Sequence, residues 1–506
     1  MIRVAVLLLW FAAVPAHGQP ASSGGFDHQR VTSVFAEALT FMVPRILDPV
    51  PVSQLTVWGL RGLTALDPAL ITSQQDGRIR LATQTRILFE APAPPDENPI
   101  AWANTAAVVT AAGYSVSAAV RRAGNQGVIQ SFFDELFNHL DPYSRYVAPG
   151  DAGEDRARRA GRAGLGMTVA DKGGVVVVQS VIQDGPAALA GLRTGDSILA
   201  VDRRLTRSLN ARTVTGMIEG PEETEVGMTW RGRDGRVRTD VLVRAMVPPE
   251  TVFFERTVDT LTVRITGFSR STDLHLANAL REGLTAPRPV TGIMLDLRGN
   301  RGGLLRQAVT AADTLLTPGI VAMTSGRAPE ANHVWRSTTG QIGGDVPVVV
   351  IVDGRTASAA EILAAALADR GRAVVVGSAT LGKGLVQTID PLPDGAELFV
   401  TWSRVLAPRG WPIQGLGLLP QVCSSRGQDA LFRQMTLLSA GTQPMAQDLA
   451  AHRAARAPLS AQQILMIRSG CPAAEGRDLD VKAARLLLGN LVAYGTALLP
   501  ATADPR

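Results

Sequence analysis

At 506 residues with 46% hydrophobic side chains, the chain has the material for roughly three folded domains rather than one. A formal charge of +5, spread along the chain, gives no basic patch for nucleic acid. The six histidines are scattered without zinc spacing, and nothing else in the sequence calls for a metal or another cofactor.

Residues 1–18 place Arg3 before an apolar run, VAVLLLWFAAV, and end in Pro15-Ala16-His17-Gly18. This is the pattern of a cleaved signal peptide, too short for a convincing membrane span. The mature protein is therefore expected to be periplasmic or otherwise exported, with an uncleaved, membrane-associated form as the minority alternative. Cys423 and Cys471 form an even pair in such a chain and are candidates for a disulfide, although spacing alone does not show that they meet.

From 26 to 150 the periodicity is mainly helical: VTSVFAEALTFMV and VIQSFFDELFNHL carry apolar residues three and four apart. Between them, DGRIRLATQTRILFEAPAPP reads as a hairpin followed by a proline-rich loop. The arginine-rich run 156–162 reads as a solvated linker. From 163 to 247 short strands alternate with turn signals and one short helix after Pro186. Next, TVFFERTVDTLTVRITGF is a hairpin. It is followed by the strand GIMLDL, a glycine-rich turn, and a helix with Leu304, Ala308, Ala312 and Leu315 on one stripe.

The stretch 353–387, DGRTASAAEILAAALADRGRAVVVGSATLGKGLVQ, carries the chemistry. The preceding VPVVVIVD is a strand buried on both faces, and 359–369 is an Ala/Leu helix, so Ser358 falls at the strand-to-helix turn. Free N–H groups at such a turn can hold an oxyanion. A serine there is more often a plain helix cap. Lys383 changes the balance. The chain has three lysines among 50 basic residues, Lys172, Lys383 and Lys482, and only a lysine, never an arginine, can lose its proton to become a base. Lys172, in a DKGG turn, reads as a solvated loop residue. GSATLGK (377–383) also begins like a phosphate-binding P-loop, but Gly384 stands where Ser or Thr should hold magnesium, and LVQTIDPL continues as a strand rather than a helix.

Two resemblances carry this further. The segment GLGMTV together with GPAALAGLRTGDSILAVD (185–202) resembles a PDZ domain of the circularly permuted bacterial type. This implies that Leu165, Gly166 and Met167 form the loop that captures a peptide's terminal carboxylate, the peptide adding as a strand. The order LDPYSRY (140–146), LDLRGNRGG (295–303), TASAAEILAAALAD (356–369), GKGLVQ (382–387) and IQGLGLLP (413–420) resembles the carboxyl-terminal processing peptidases (tail-specific proteases) of serine peptidase family S41. The resemblance covers about 136–422. It implies Ser358 as nucleophile, Lys383 as general base 25 residues later, Gln387 orienting the lysine amine, and the backbone of Ala359, Gly302 and Gly303 as oxyanion donors. Thr356 stands where the family usually has serine, Arg301 where it has proline, and Gln421 where an acidic residue usually follows Pro420.

The resulting expectation is a multi-domain α/β protein. A leader (1–18) precedes a mainly helical N-terminal domain (26–150), a PDZ-like β-rich module (163–247), an S41-type peptidase core of strand–helix units (250–422), and a helical C-terminal extension (423–506). The implied function is a serine endopeptidase that cleaves exported or envelope proteins near apolar C-terminal tails. The implied partners are those protein substrates, with an activating adaptor and homo-oligomerisation left open by the extra segments. The competing reading is a non-catalytic PDZ-bearing adaptor that binds C-termini.

Overall fold

Val348–Val352 is buried at every position, as a β-branched run in a parallel sheet should be. In the computed structural model, which describes residues 25–182, 185–285, 288–338 and 340–500, it lies inside a six-stranded sheet. The strand order is Val252–Arg256, Thr260–Ile265, Gly292–Asp296, Val348–Val352, Ala373–Gly377, Val422–Cys423. The first pair is an antiparallel hairpin and the others run parallel. Side chains alternate across the sheet. Val348, Val350 and Val352 face helices Thr272–Thr285, Leu305–Asp313 and Ala359–Asp369. Val349 and Ile351 face Gln428–Ser439, Asp478–Leu488 and Leu491–Ala497. The C-terminal extension is thus the second layer of the core.

A second sheet is formed by His333–Ser337, Gly319–Gly326, Glu397–Leu406 and Leu385–Pro391, with Arg145–Val147 paired to Glu397–Leu406. The β-rich module contains a sheet ordered Val237–Val243, Glu225–Arg231, Ser197–Val201, Val175–Val181, Met167–Lys172, with Arg204–Leu205 beside Ser197–Val201. Its core includes Leu165, Val178, Ile198, Val214, Met228 and Trp230.

The run 156–162 is not the solvated linker expected from its charge. It continues helix Pro149–Ala160, and Arg156 and Arg159 reach the nearly buried Glu397 at 3.1 and 2.7 Å. A carboxylate withdrawn from water needs such partners, and the arginines supply them.

These elements belong to one compact unit, residues 38–51 and 137–500. The other unit, 25–37 and 52–136, contains helices Val52–Leu60, Pro99–Val116 and Ala118–Phe137 and an antiparallel sheet Ile71–Gln75, Arg78–Ala82, Ile87–Pro92. Phe35 stacks on Phe132 in its core, with ring centroids 4.1 Å apart. The expected leader lies outside the described residues. Among the described residues no helix is long and apolar enough to cross a membrane.

Candidate active site

At the end of Val348–Val352 the Asp353 carboxylate accepts hydrogen bonds from the N–H groups of Gly299, Arg355 and Thr356, closing the turn. Thr356 donates its hydroxyl to Leu297 O at 2.9 Å, which ties the turn to the end of the neighbouring strand. Ala357 N–H bonds Asn300 O, which ties this turn to the glycine turn after Gly292–Asp296. Ser358 then adopts φ 58°, ψ −120° as the residue before helix Ala359–Asp369. A non-glycine residue held at positive φ is strained, and the surrounding bonds are what enforce it.

Gly302 packs directly on this turn. A Cβ at Gly302 would lie 2.8 Å from Ser358 Cβ and 2.9 Å from Ala359 N, and a Cβ at Gly303 would lie 2.2 Å from Phe268 O. Both glycines therefore serve backbone-to-backbone packing. Gly302 N–H donates to Asn300 Oδ1 at 2.8 Å. The N–H groups of Gly303 and Ala359 make no hydrogen bond among the described residues.

The loop 378–384, carrying Lys383, has no regular secondary structure and is held from several sides. Glu361, wholly buried in the first turn of the helix, accepts the N–H groups of Ser358 (2.7 Å), Gly382 (2.7 Å) and Lys383 (2.9 Å) and the Thr380 hydroxyl. Burial pushes its carboxyl above the ordinary value, against these four hydrogen bonds, which favour the ionised form. One side chain thus anchors the Ser358 turn and the Lys383 loop together. Gly384 N–H bonds Gln414 Oε1, and Gly415 N–H bonds Gly382 O. The two glycines flanking Lys383 let it lie against 413–417: a Cβ on Gly384 would sit 2.2 Å from Gln414 N. With these N–H groups committed and Leu385–Pro391 a strand, the loop offers no cradle for a nucleotide phosphate.

Lys383 is half-buried, and burial lowers its pKa below the usual lysine value; the Arg145 charge lowers it further, while Asp141 raises it. Its ammonium lies 4.6 Å above the Tyr143 ring. Among the described residues it forms no hydrogen bond with Ser358 Oγ or with Gln387. Gln387 instead donates Nε2 to Thr401 Oγ1 at 3.0 Å and to Leu385 O at 3.3 Å. Thr401 Oγ1 in turn donates to Asp141 Oδ1 at 2.8 Å, and Asp141 also caps the N–H groups of Tyr143 and Ser144. The turn of LDPYSRY therefore reaches both Lys383 and Gln387. Glu361, Thr380, Asp141, Tyr143 and Thr401 are site residues that sequence reasoning passed over, although the first four lie inside or beside the quoted phrases.

In the β-rich module, Leu165, Gly166 and Met167 line a groove of about 500 Å³ with Ile182, Ile218 and Val247. Cys423 and Cys471 are joined in a disulfide. Among the described residues no group of His, Cys, Asp and Glu could hold a metal ion.

Comparison with known proteins agrees with this anatomy. Residues 259–423 match the profile of peptidase family S41 and 156–230 that of the PDZ domain. The chain is 32% identical over 305 residues to a carboxy-terminal-processing protease of Bartonella bacilliformis, covering 59% of this chain and 70% of that protein. It is also 32% identical to the carboxy-terminal processing protease CtpA of Bacillus subtilis, covering 59% of this chain and 62% of that protein. Among solved structures, a photosystem II D1 C-terminal processing protease aligns over 73% of this chain and 92% of its own, at 26% identity and a TM-score of 0.36.

The protein is thus a mixed α/β serine-type peptidase with a PDZ domain. It belongs to peptidase family S41, among the carboxy-terminal processing proteases.

Proposed function

We propose that the chain is a serine endopeptidase working through Ser358 and Lys383, which cleaves exported or envelope proteins near C-terminal tails captured by the PDZ domain. The observation that carries this reading is Glu361, which joins the strained Ser358 turn and the Lys383 loop through one buried carboxylate. In the working cycle, neutral Lys383 Nζ takes the Ser358 proton as Oγ attacks the scissile carbonyl carbon. The N–H groups of Gly303 and Ala359 hold the oxyanion. The lysine then passes its proton to the leaving amine, and water, deprotonated by the same lysine, hydrolyses the acyl-enzyme. Burial of Lys383 favours the neutral base. With its ammonium over Tyr143, the lysine must lose its proton and turn toward Ser358 before the first step.

Apolar tails suit the groove beside Leu165, Gly166 and Met167 because Ile182, Ile218 and Val247 line it. An exported location, through the leader at 1–18, suits the Cys423–Cys471 disulfide. The test is degradation of an unstructured reporter with an apolar C-terminal tail by wild type, Ser358→Ala and Lys383→Ala. Wild type should degrade it while both variants, folded, do not. Cleavage that persists in Ser358→Ala overturns the nucleophile assignment, and tail-binding without cleavage by wild type would turn the reading toward the adaptor.

A further inference from the structure

We infer that Arg468, in the C-terminal extension, is a positioning residue for the base loop, and that the Cys423–Cys471 disulfide fixes the turn from which it works. This rests on Lys383 being the base.

Arg468 ends helix Ala461–Arg468, which has no buried residue of its own. Leu465 and Met466 on that helix are largely exposed, and its apolar anchors are the half-buried Ile467, packed against the core, and Ile464, beside Gly415. The Arg468 guanidinium adds the polar link to the base loop. Nη2 donates to Thr380 O at 2.7 Å, and Nη1 donates to Leu416 O at 2.6 Å and Gly415 O at 3.4 Å. Thr380 is the residue whose hydroxyl donates to Glu361, and Gly415 is the residue whose N–H bonds Gly382 O. The one guanidinium therefore bridges the loop carrying Lys383 and the segment against which that loop packs. Its planar fork suits two separate carbonyls in a way a single ammonium does not. Burial lowers the pKa of the half-buried Arg468, and the nearby Glu361 charge opposes that effect.

The position of Arg468 is set three residues on. Cys471 N–H bonds Arg468 O at 3.2 Å, and Cys471 is covalently tied to Cys423 at the end of the core sheet's last strand. The neighbouring helix helps from the same side: His452 Nε2 lies 2.9 Å from Gly417 O. Arg468, Cys471 and His452 all lie beyond residue 423, where the S41 match ends.

The test is steady-state cleavage of the tailed reporter by full-length wild type, Arg468→Gln, Arg468→Lys and Cys471→Ser, with Ser358→Ala as reference. A loosened base loop lowers turnover rather than substrate capture. Arg468→Gln should therefore lose about ten- to a hundredfold in kcat with KM little changed. Arg468→Lys, which keeps the charge and some donors, should recover part of that loss, and Cys471→Ser should lower kcat in the same sense but less. A kcat for both Arg468 variants equal to that of wild type, or a loss confined to KM or to thermal stability, overturns the inference, and Arg468→Lys decides if Arg468→Gln does not fold. The Ser358→Ala reference separates the two claims. If it remains active the dyad itself fails, whereas if it is dead and the Arg468 variants are wild-type in kcat, only the positioning role fails.

Discussion

Ser358 sits on backbone bent to φ 58° between a buried strand and a buried helix, whereas Lys383 sits in an irregular loop held by side chains from distant parts of the chain. The place of Ser358 follows from the fold: strand, tight turn, helix, and a glycine packed against it. The place of Lys383 follows from polar contacts, with Glu361, Gln414 and Arg468 each satisfying a different part of the loop. Of the two residues proposed as a dyad, one is fixed by chain geometry and the other by hydrogen bonds. Damage to the two halves should look different.

The largest effect should come from the geometric half. Gly302→Ala puts a methyl group 2.8 Å from Ser358 Cβ at a backbone φ of +93° that disfavours side chains. It should abolish cleavage and cost about 2–4 kcal/mol in urea unfolding. Glu361→Gln attacks the link between the halves. Its amide nitrogen would face either the N–H groups of Ser358 and Lys383 or the Gly382 N–H and Thr380 hydroxyl, leaving one of these pairs without its acceptor. Unfolding should be easier by on the order of 3 kcal/mol, and kcat should fall about a hundredfold or more. If the buried side chain is only a helix cap, the loss would be near 1 kcal/mol with kcat intact.

Removing the disulfide with Cys471→Ser opens a loop of 48 residues and should lower stability by up to about 4 kcal/mol, read from denaturation with and without reductant. The smallest effect is electrostatic and belongs to the base alone. On the proposed mechanism activity needs neutral Lys383, so it should rise as pH climbs through the lysine pKa. The Arg145 charge lowers that pKa. Arg145→Gln should therefore move the acid limb of the kcat–pH profile to higher pH. A shift the other way would mean that the titrating group is not Lys383.

The same contrast explains what could be read in advance. The Ser358 turn was legible because its signals are local: eight residues of strand, a glycine, and an Ala/Leu helix whose bounds, Ala359–Asp369, the pattern places correctly. Alternation in Val348–Val352 also required a cover on both faces, yet the C-terminal extension read as an appendage because its partner strands lie far away in sequence. Glu361 looks like an ordinary acid in a helix's first turn, and its wider role depends on where residues 380–383 return in space. Gln387 was assigned to the lysine from the family resemblance of GKGLVQ. In the structure its amide is taken by Thr401, on the neighbouring strand Glu397–Leu406. The arginines 156 and 159 read as solvent-facing until Glu397 arrives from the second sheet.

The central claim is that Ser358 Oγ is the atom that attacks and Lys383 the group that takes its proton. The most direct test is mass spectrometry of the acid-quenched enzyme during turnover of a slowly hydrolysed peptide ester. The account predicts an acyl adduct on Ser358 in wild type, no adduct in Ser358→Ala, and little or none in folded Lys383→Ala at neutral pH. An adduct on another residue, or one that forms equally fast in Lys383→Ala, would contradict it.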